Sequence, residues 1–450
     1  MAPRYKLKCL PGDEEAEDRI SELPEFIVDN ILLRLDSSKD RVRVIALSKK
    51  WCALTASFPY LDFNFDEFRL GLYGTSYHDV AAYLFYKYVE HSVSRFCYQQ
   101  ILKNLHTFKL RTWFKDKKEV GIINKCLEFI LEKGVKVLDI EIILSTNLQT
   151  NYRLPIGPSS SVSSLTSLKM STKLLPFSLT DDDVAAFKYL KVLHFNLVSL
   201  DPHVIEHLTV SCRLLEELTV EYCSGLKKFH VYGCLQNLNK LRFSGNVGVE
   251  EIDIKAPNLR ECHLFVKHVE GKGAPSMNLG SCKLLRTLHL ARSPFLTSKG
   301  LSDFVSNFPF LENLSVCLDN RQASLETPVD FEQLKVTQSQ PYELEHVELG
   351  LETIEDISVV DAVLLFCRPR SLSVVSNFYS IHIKEQGRVV KFIYDKLLQH
   401  EDEAHTRIQI EWSDAVASNS ILTTFSDHQL RETVTLIKEE VVQEEENNNC

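Results

Sequence analysis

The chain contains no uninterrupted apolar run of eighteen residues, so nothing in it reads as a membrane-spanning helix. Its first twenty residues also lack the apolar core of a secretory signal, which predicts a soluble intracellular protein of the nucleus or cytoplasm. The twelve cysteines are dispersed without a single C-x-x-C pair. That removes the usual spacing of a structural zinc site or a redox motif and leaves reduced, buried thiols as the expectation. Positive charge is outnumbered: 51 lysines and arginines face 61 acidic residues, for a net charge of −10, and no run of lysine and arginine looks like an import signal or a polybasic patch. Nucleic-acid backbones and anionic membranes both reward positive charge, so neither is expected as a partner. There is no G-x-S-x-G and no phosphate-cradling glycine-rich loop, and Gly271-Lys272-Gly273 reads as a plain loop. Cys450 ends the chain, whereas a prenylation box needs cysteine four residues from the end. No catalytic residue, cofactor or metal ligand is therefore assigned.

What is present is ordinary in bulk and unusual in pattern. The apolar fraction is 44% and the charged fraction 25%, values of a globular protein. A length of 450 residues exceeds one compact core and implies either two or three folding units or one elongated repeat array. Acidic residues gather at both ends, in 1–17 and 431–450, and read as solvated tails.

Between Asp18 and Phe65 three short helices are expected. Pro24 suits a first helical position, and Ile27, Val28, Ile31, Leu32 and Leu35 form a helical apolar stripe. Asp36, Ser37 and Ser38 break that helix; a second carries Val42, Val44, Ile45 and Leu47, and a third surrounds Trp51 and Leu54. Helices this short bury little by themselves, so their apolar surface calls for a partner or for the domain that follows. The order Asp18-Arg19-Ile20-Ser21, Leu23-Pro24-Glu25, Ile31-Leu32, Val42-Arg43, Leu47-Ser48-Lys49-Lys50-Trp51, Pro59 and Leu61-Asp62-Phe63 resembles the F-box of plant F-box/leucine-rich-repeat proteins. The resemblance implies docking on a Skp-type adaptor, and through it on cullin and RING subunits of a ubiquitin ligase. The positions it implies for the adaptor contact are Leu23, Pro24, Ile31, Leu32, Val42, Leu47 and Trp51.

After a helical stretch from Val80 to Val93, a six-residue unit recurs in which the first, fourth and sixth residues are apolar. It begins at Leu105, Val135, Leu165, Leu190, Leu215, Leu238, Leu259, Leu285, Leu311 and Leu344, with steps of 21 to 33 residues. A recurring step in this range marks a leucine-rich-repeat solenoid. Each unit is a strand with one buried face; stacking the units makes a parallel concave sheet over a continuous core. Helices are expected over 119–133, 201–212 and 297–307. Leu226-Phe229-Val231 and Val249-Ile252-Ile254 repeat the strand pattern at half-period and read as extended rungs on the convex side, with a tighter array of separate repeats as the alternative. Cys212, Cys223 and Cys234 follow that half-period as buried turn positions. The family resemblance continues in Gly134–Asp139, in Cys212-x-x-Leu215-Glu216-x-Leu218 and in Ala256–Leu259, and it fades beyond Pro341.

The predicted fold is thus α/β: a three-helix F-box (18–65), a helical linker (66–104), a leucine-rich-repeat solenoid (105–375) and a C-terminal cap (376–430). The cap is expected to hold a helix over 387–400 and a strand over 407–412. Residues alternating with the buried leucines face outward on the concave sheet, and a target protein is expected there at His194, Thr219, Arg242, His263, His289 and Ser315, with the loops and the convex side as rival sites. Glu261, His263 and His289 are close enough in this register to weigh as metal ligands, but histidines on a solvated strand are commoner and no metal is assigned. The expected role is a substrate receptor of a ubiquitin ligase. A small-molecule-dependent co-receptor and a non-degradative scaffold are the alternatives.

Overall fold

The computed structural model describes residues 60–71, 78–98, 105–144, 164–173, 176–177, 187–233, 235–267, 275–291, 304–317, 342–351, 367–376, 407–413 and 431–437, with fragments at 23–24, 27–28, 31–32, 363–364 and 391–392. In chain order the first strands are β1 (Tyr60–Asn64), β2 (Thr107–Phe114), β3 (Val137–Leu144), β4 (Ser167–Lys173), β5 (Pro176–Phe177), β6 (Val192–Asn196) and β7 (Ser199–Leu200). Next come β8 (Glu217–Glu221), β9 (Lys228–Val231), β10 (Lys240–Val247), β11 (Glu251–Ile254), β12 (Glu261–Lys267) and β13 (Ser276–Asn278). The last are β14 (Thr287–Ala291), β15 (Asn313–Cys317), β16 (Tyr342–Leu351), β17 (Cys367–Ser376), β18 (Arg407–Ser413) and β19 (Arg431–Ile437). Among the described residues, the helices of about two turns or more are α1 (Phe65–Gly71), α2 (His78–Tyr98), α3 (Lys117–Glu132) and α4 (Val204–Ser211).

Among the described residues fourteen strands make one sheet, in the order β1-β2-β3-β4-β6-β8-β10-β12-β14-β15-β16-β17-β18-β19. Neighbours are parallel up to β18, and β19 closes the end antiparallel to β18. The cause is the repeated unit. Its fourth and sixth residues point to one side of each strand, so Phe108, Leu138, Leu168, Leu193, Leu218, Leu241, Cys262, Leu288, Leu314 and Val347 fall into one buried row along the sheet. A lone rung could not bury that face; each needs its neighbours.

The convex side is decided by a second, three-stranded parallel sheet, β13-β11-β9. Phe229 of β9 stacks on Phe243 of β10 with ring centroids 4.0 Å apart, so the two sheets share one core. The half-period segments are therefore convex rungs and not separate repeats. Two expected return helices are found as α3 and α4. α3 opens with a reciprocal cap: Asp116 accepts from the Lys118 and Glu119 amides, and the Glu119 carboxylate accepts from the Asp116 amide. It ends at Gly134, whose φ of +75° is left-handed. Of the helix expected over 297–307, only 304–307 are described, and they hold a short helical turn.

Two boundaries differ from those expected, and the expected helical linker is found packed on the solenoid. Tyr60–Asn64, which that reading placed at the end of the F-box segment, is the first strand of the sheet, paired in parallel with β2. The stretch read as a linker holds α1 and α2 and packs on the solenoid: Phe65 meets Phe85 edge-on, and the Tyr86 hydroxyl reaches Thr112 at 3.0 Å. Residues 431–437, read as the start of an acidic tail, form β19. The expected strand over 407–412 is found as β18, and the helix expected over 387–400 is described only at 391–392. Among the described residues no helix is long and apolar enough to cross a membrane.

Candidate functional site

Parallel pairing sets the outward residues of successive strands side by side, and the register shift of β10 against β12, between Ser244 and Asn246, falls beyond this row. Asp139, Lys169, His194, Thr219, Arg242, His263, His289, Ser315 and Glu348 are register partners in turn, one straight row across nine strands. All six residues expected to face a target, His194, Thr219, Arg242, His263, His289 and Ser315, lie in this row, and the structure brings them together.

The row is a network of charge and aromatic contacts. Glu221 lies 3.5 Å from His194 Nε2 and 3.8 Å from Arg242. The His194 contact, more than Arg242, holds the Glu221 carboxyl below its ordinary range. Glu261 accepts from Lys240 at 2.9 Å and contacts His263 at 2.6 Å. Burial alone would raise the Glu261 carboxyl, but these two contacts outweigh it and lower it. His263 and His289 stack face to face, with centroids 3.9 Å apart and planes 10° from parallel. Ser315 donates to Glu348 at 2.9 Å.

The stack has a consequence for pH. Burial pushes His263 down to about 4, the neighbouring His289 adds to the shift, and Glu261 opposes it. Burial also lowers His289, against Glu348 and Glu261. An unfolded histidine takes up its proton near pH ~6.5, whereas folded His263 does so only near its lowered value. Between these two pH values the unfolded state binds more protons, so acidification must cost stability. The expected loss from His263 is about 2 kcal/mol on going from pH 7.5 to 5. Thermal melts of the parent and of His263→Gln over this range should show a shallower pH slope in the variant. Equal slopes would contradict the assignment.

Stacked, parallel rings do not converge on one ion. Among the described residues no cluster of His, Cys, Asp or Glu is disposed to hold a metal. Cys212 and Cys223 are buried, and burial pushes both thiols up to about 12. Cys234 and Cys450 lie outside the described residues, as does Gly271-Lys272-Gly273.

Of the residues expected to meet an adaptor, Val42, Leu47 and Trp51 lie outside the described residues. Pro24 is exposed and its carbonyl accepts from the Ile27 and Val28 amides, so it opens a helix as its ring predicts. Leu23 is half-buried and Ile31 is 36% exposed. Leu32 is 0% exposed.

One outward residue escaped the sequence reading. Tyr222 follows β8 and by strict alternation belongs inside, but its φ of 52° turns it out, 48% exposed. The available signal was Gly245, at the equivalent position of the next rung.

Residues 101–337, over half of the chain, match the profile of a family described as At1g61320/AtMIF1, LRR domain. The chain belongs to the plant F-box/leucine-rich-repeat family. Similar members come from Arabidopsis thaliana. At1g58310, named for an F-box, is 31% identical over 54% of this chain and 49% of its own length. The F-box/FBD/LRR-repeat protein At1g13570 is 30% identical over 47% of this chain and 46% of its own. The F-box/FBD/LRR-repeat protein At1g51370 is 54% identical over a stretch of 61 residues, 14% of each chain. The chain spans about half the length of the first two of these relatives.

Proposed function

We propose that this F-box/leucine-rich-repeat protein is the substrate receptor of an SCF-type cullin–RING ubiquitin ligase, acting in the nucleus or cytoplasm. The observation that carries the reading is the single register row from Asp139 to Glu348 on a solenoid of this family, an extended polar face. The N-terminal segment docks a Skp-type adaptor through Leu23, Pro24 and Ile31, with Val42, Leu47 and Trp51 completing the contact, and the row holds a target protein. Catalysis belongs to other subunits. The receptor acts by tethering, which raises the effective concentration of target lysines near the loaded ubiquitin.

Co-immunoprecipitation from plant cells tests it. The full chain should recover the adaptor, and Leu23→Ala/Pro24→Ala should lower recovery at least tenfold while leaving the thermal unfolding of the solenoid unchanged. Undiminished recovery would sink the assignment. If target levels do not rise when the adaptor contact is lost, the chain is a scaffold and not a degradative receptor.

A further inference from the structure

The three rungs β6, β8 and β10 share one unusual feature just past the concave row, where β6 and β8 leave the sheet and β10 bulges before it pairs on to Val247. Three residues beyond His194, Thr219 and Arg242, the backbone turns left-handed at Leu197 (φ 58°), Tyr222 (φ 52°) and Gly245 (φ 67°). The turns are locked: the Leu197 amide donates to the Glu221 carbonyl at 2.9 Å, and the Tyr222 amide to the Ser244 carbonyl at 2.6 Å. Glycine enters this region freely, whereas an aromatic residue there is an outlier held by its surroundings. The tyrosine ring lies against the Gly245 α-carbon, since a Cβ at Gly245 would stand 2.3 Å from Tyr222 Cδ1. A strained backbone and a missing side chain together display half of an aromatic ring on the rim. Nothing in the core requires it, because the ring is not buried.

Arg242 lies on the same rungs with donors to spare. Its side chain is 41% exposed, and its ion pair with Glu221 is the longer of the two that Glu221 makes. Glu261 is held by Lys240 and His263. Lys169 is exposed in the same row, three strand spacings from Arg242, or about 14 Å. An exposed tyrosine beside an arginine is the composition of an interface hot spot, and a guanidinium fork selects carboxylates.

We infer that the rim of β6, β8 and β10 anchors an acidic segment of the target protein, with Tyr222 packing on an apolar side chain and Arg242 taking a carboxylate. A second carboxylate reaches Lys169; about 14 Å is the span of about four extended residues. The inference rests on the concave face being the target site.

Random dodecapeptides displayed on phage and panned on the full chain in complex with its adaptor test it. The expected consensus is an apolar residue between two acidic ones about four positions apart. A selected peptide, followed by fluorescence anisotropy, should lose at least tenfold in affinity with Arg242→Gln and with Tyr222→Asn, and should weaken with added salt. Asparagine tolerates the left-handed turn, so Tyr222→Asn should keep the melting temperature. A ring with only a structural role would lower the melting temperature and leave binding alone. Gly245→Ala, which displaces the ring without altering tyrosine, should also weaken binding, whereas Lys228→Gln on the convex side should not. A neutral or basic consensus, or no enrichment, overturns the inference. Peptides that ignore these variants but fail with His289→Ala or Ser315→Ala overturn it too, and leave the concave-face reading standing. Binding moved by none of the concave variants overturns both.

Discussion

Gly225→Ala should be among the most damaging single changes in this solenoid, costing about 4 kcal/mol or more. Gly225 has a φ of +90°, and a Cβ there would lie 2.1 Å from the Leu200 carbonyl oxygen. That oxygen belongs to the backbone of the neighbouring rung, so no side-chain rotation relieves the clash. Relief requires the turn after β8 to move off β7. The Leu200 amide bond to Ser224 (2.8 Å) and the Ser224 amide bond to Val198 (3.0 Å) would then open. Gly134→Ala provides the contrast. Its φ is +75°, but its nearest neighbour would be the Ser164 hydroxyl at 3.4 Å, so only the left-handed backbone is penalised, by about 1–2 kcal/mol. Urea unfolding of the two variants should separate by several kcal/mol. Similar midpoints would mean that the β7–β8 rungs are not packed as described. Because Thr219 and Tyr222 lie just upstream of this turn, target binding should fall with the same variant.

Phe243→Ala should cost about 3–5 kcal/mol. Phe243 is fully buried and its ring stacks on Phe229 of the convex sheet. A cavity here separates the two sheets at the middle of the array. In a solenoid each rung touches only its neighbours, so the damage should also divide the unfolding into two steps, with a lower m-value for the first. Phe229→Ala should have a similar effect, and the double variant less than the sum, because both remove the same contact. Additive losses would show that the rings do not pack on each other. The concave residues of β8, β10 and β12 ride on the outer side of this contact, which links core packing to the alignment of Thr219, Arg242 and His263.

Much of this was legible because the repeat writes the same instruction many times. An apolar residue at the first, fourth and sixth position of each unit has one way to be buried, and stacking is forced on every unit at once. The outward residues then follow by alternation, which is why His194 through Ser315 could be named as neighbours before any geometry was known. Alternation fails where the strand ends. At Tyr222 the chain leaves the sheet in a left-handed turn, and a period of two carries no information about that turn. A helical stripe such as that of Leu32 shows which face is apolar, but not what covers it. The boundaries at Tyr60 and Arg431 were missed because one strand's worth of alternation, outside the run of repeats, is a weak signal on its own.

The sequence alone determined that the chain is a stacked array of parallel rungs and which side chains share the concave row, and it carries the N-terminal resemblance to an F-box. These depend on periodicity and on short motifs, both local properties. Only the tertiary structure decided that the half-period segments form a second sheet, that His263 and His289 stack, that Leu32 is internal, and that Tyr222 stands on the rim. Each of those depends on which atoms of one rung meet the next, and contact between rungs is a property of the packed array.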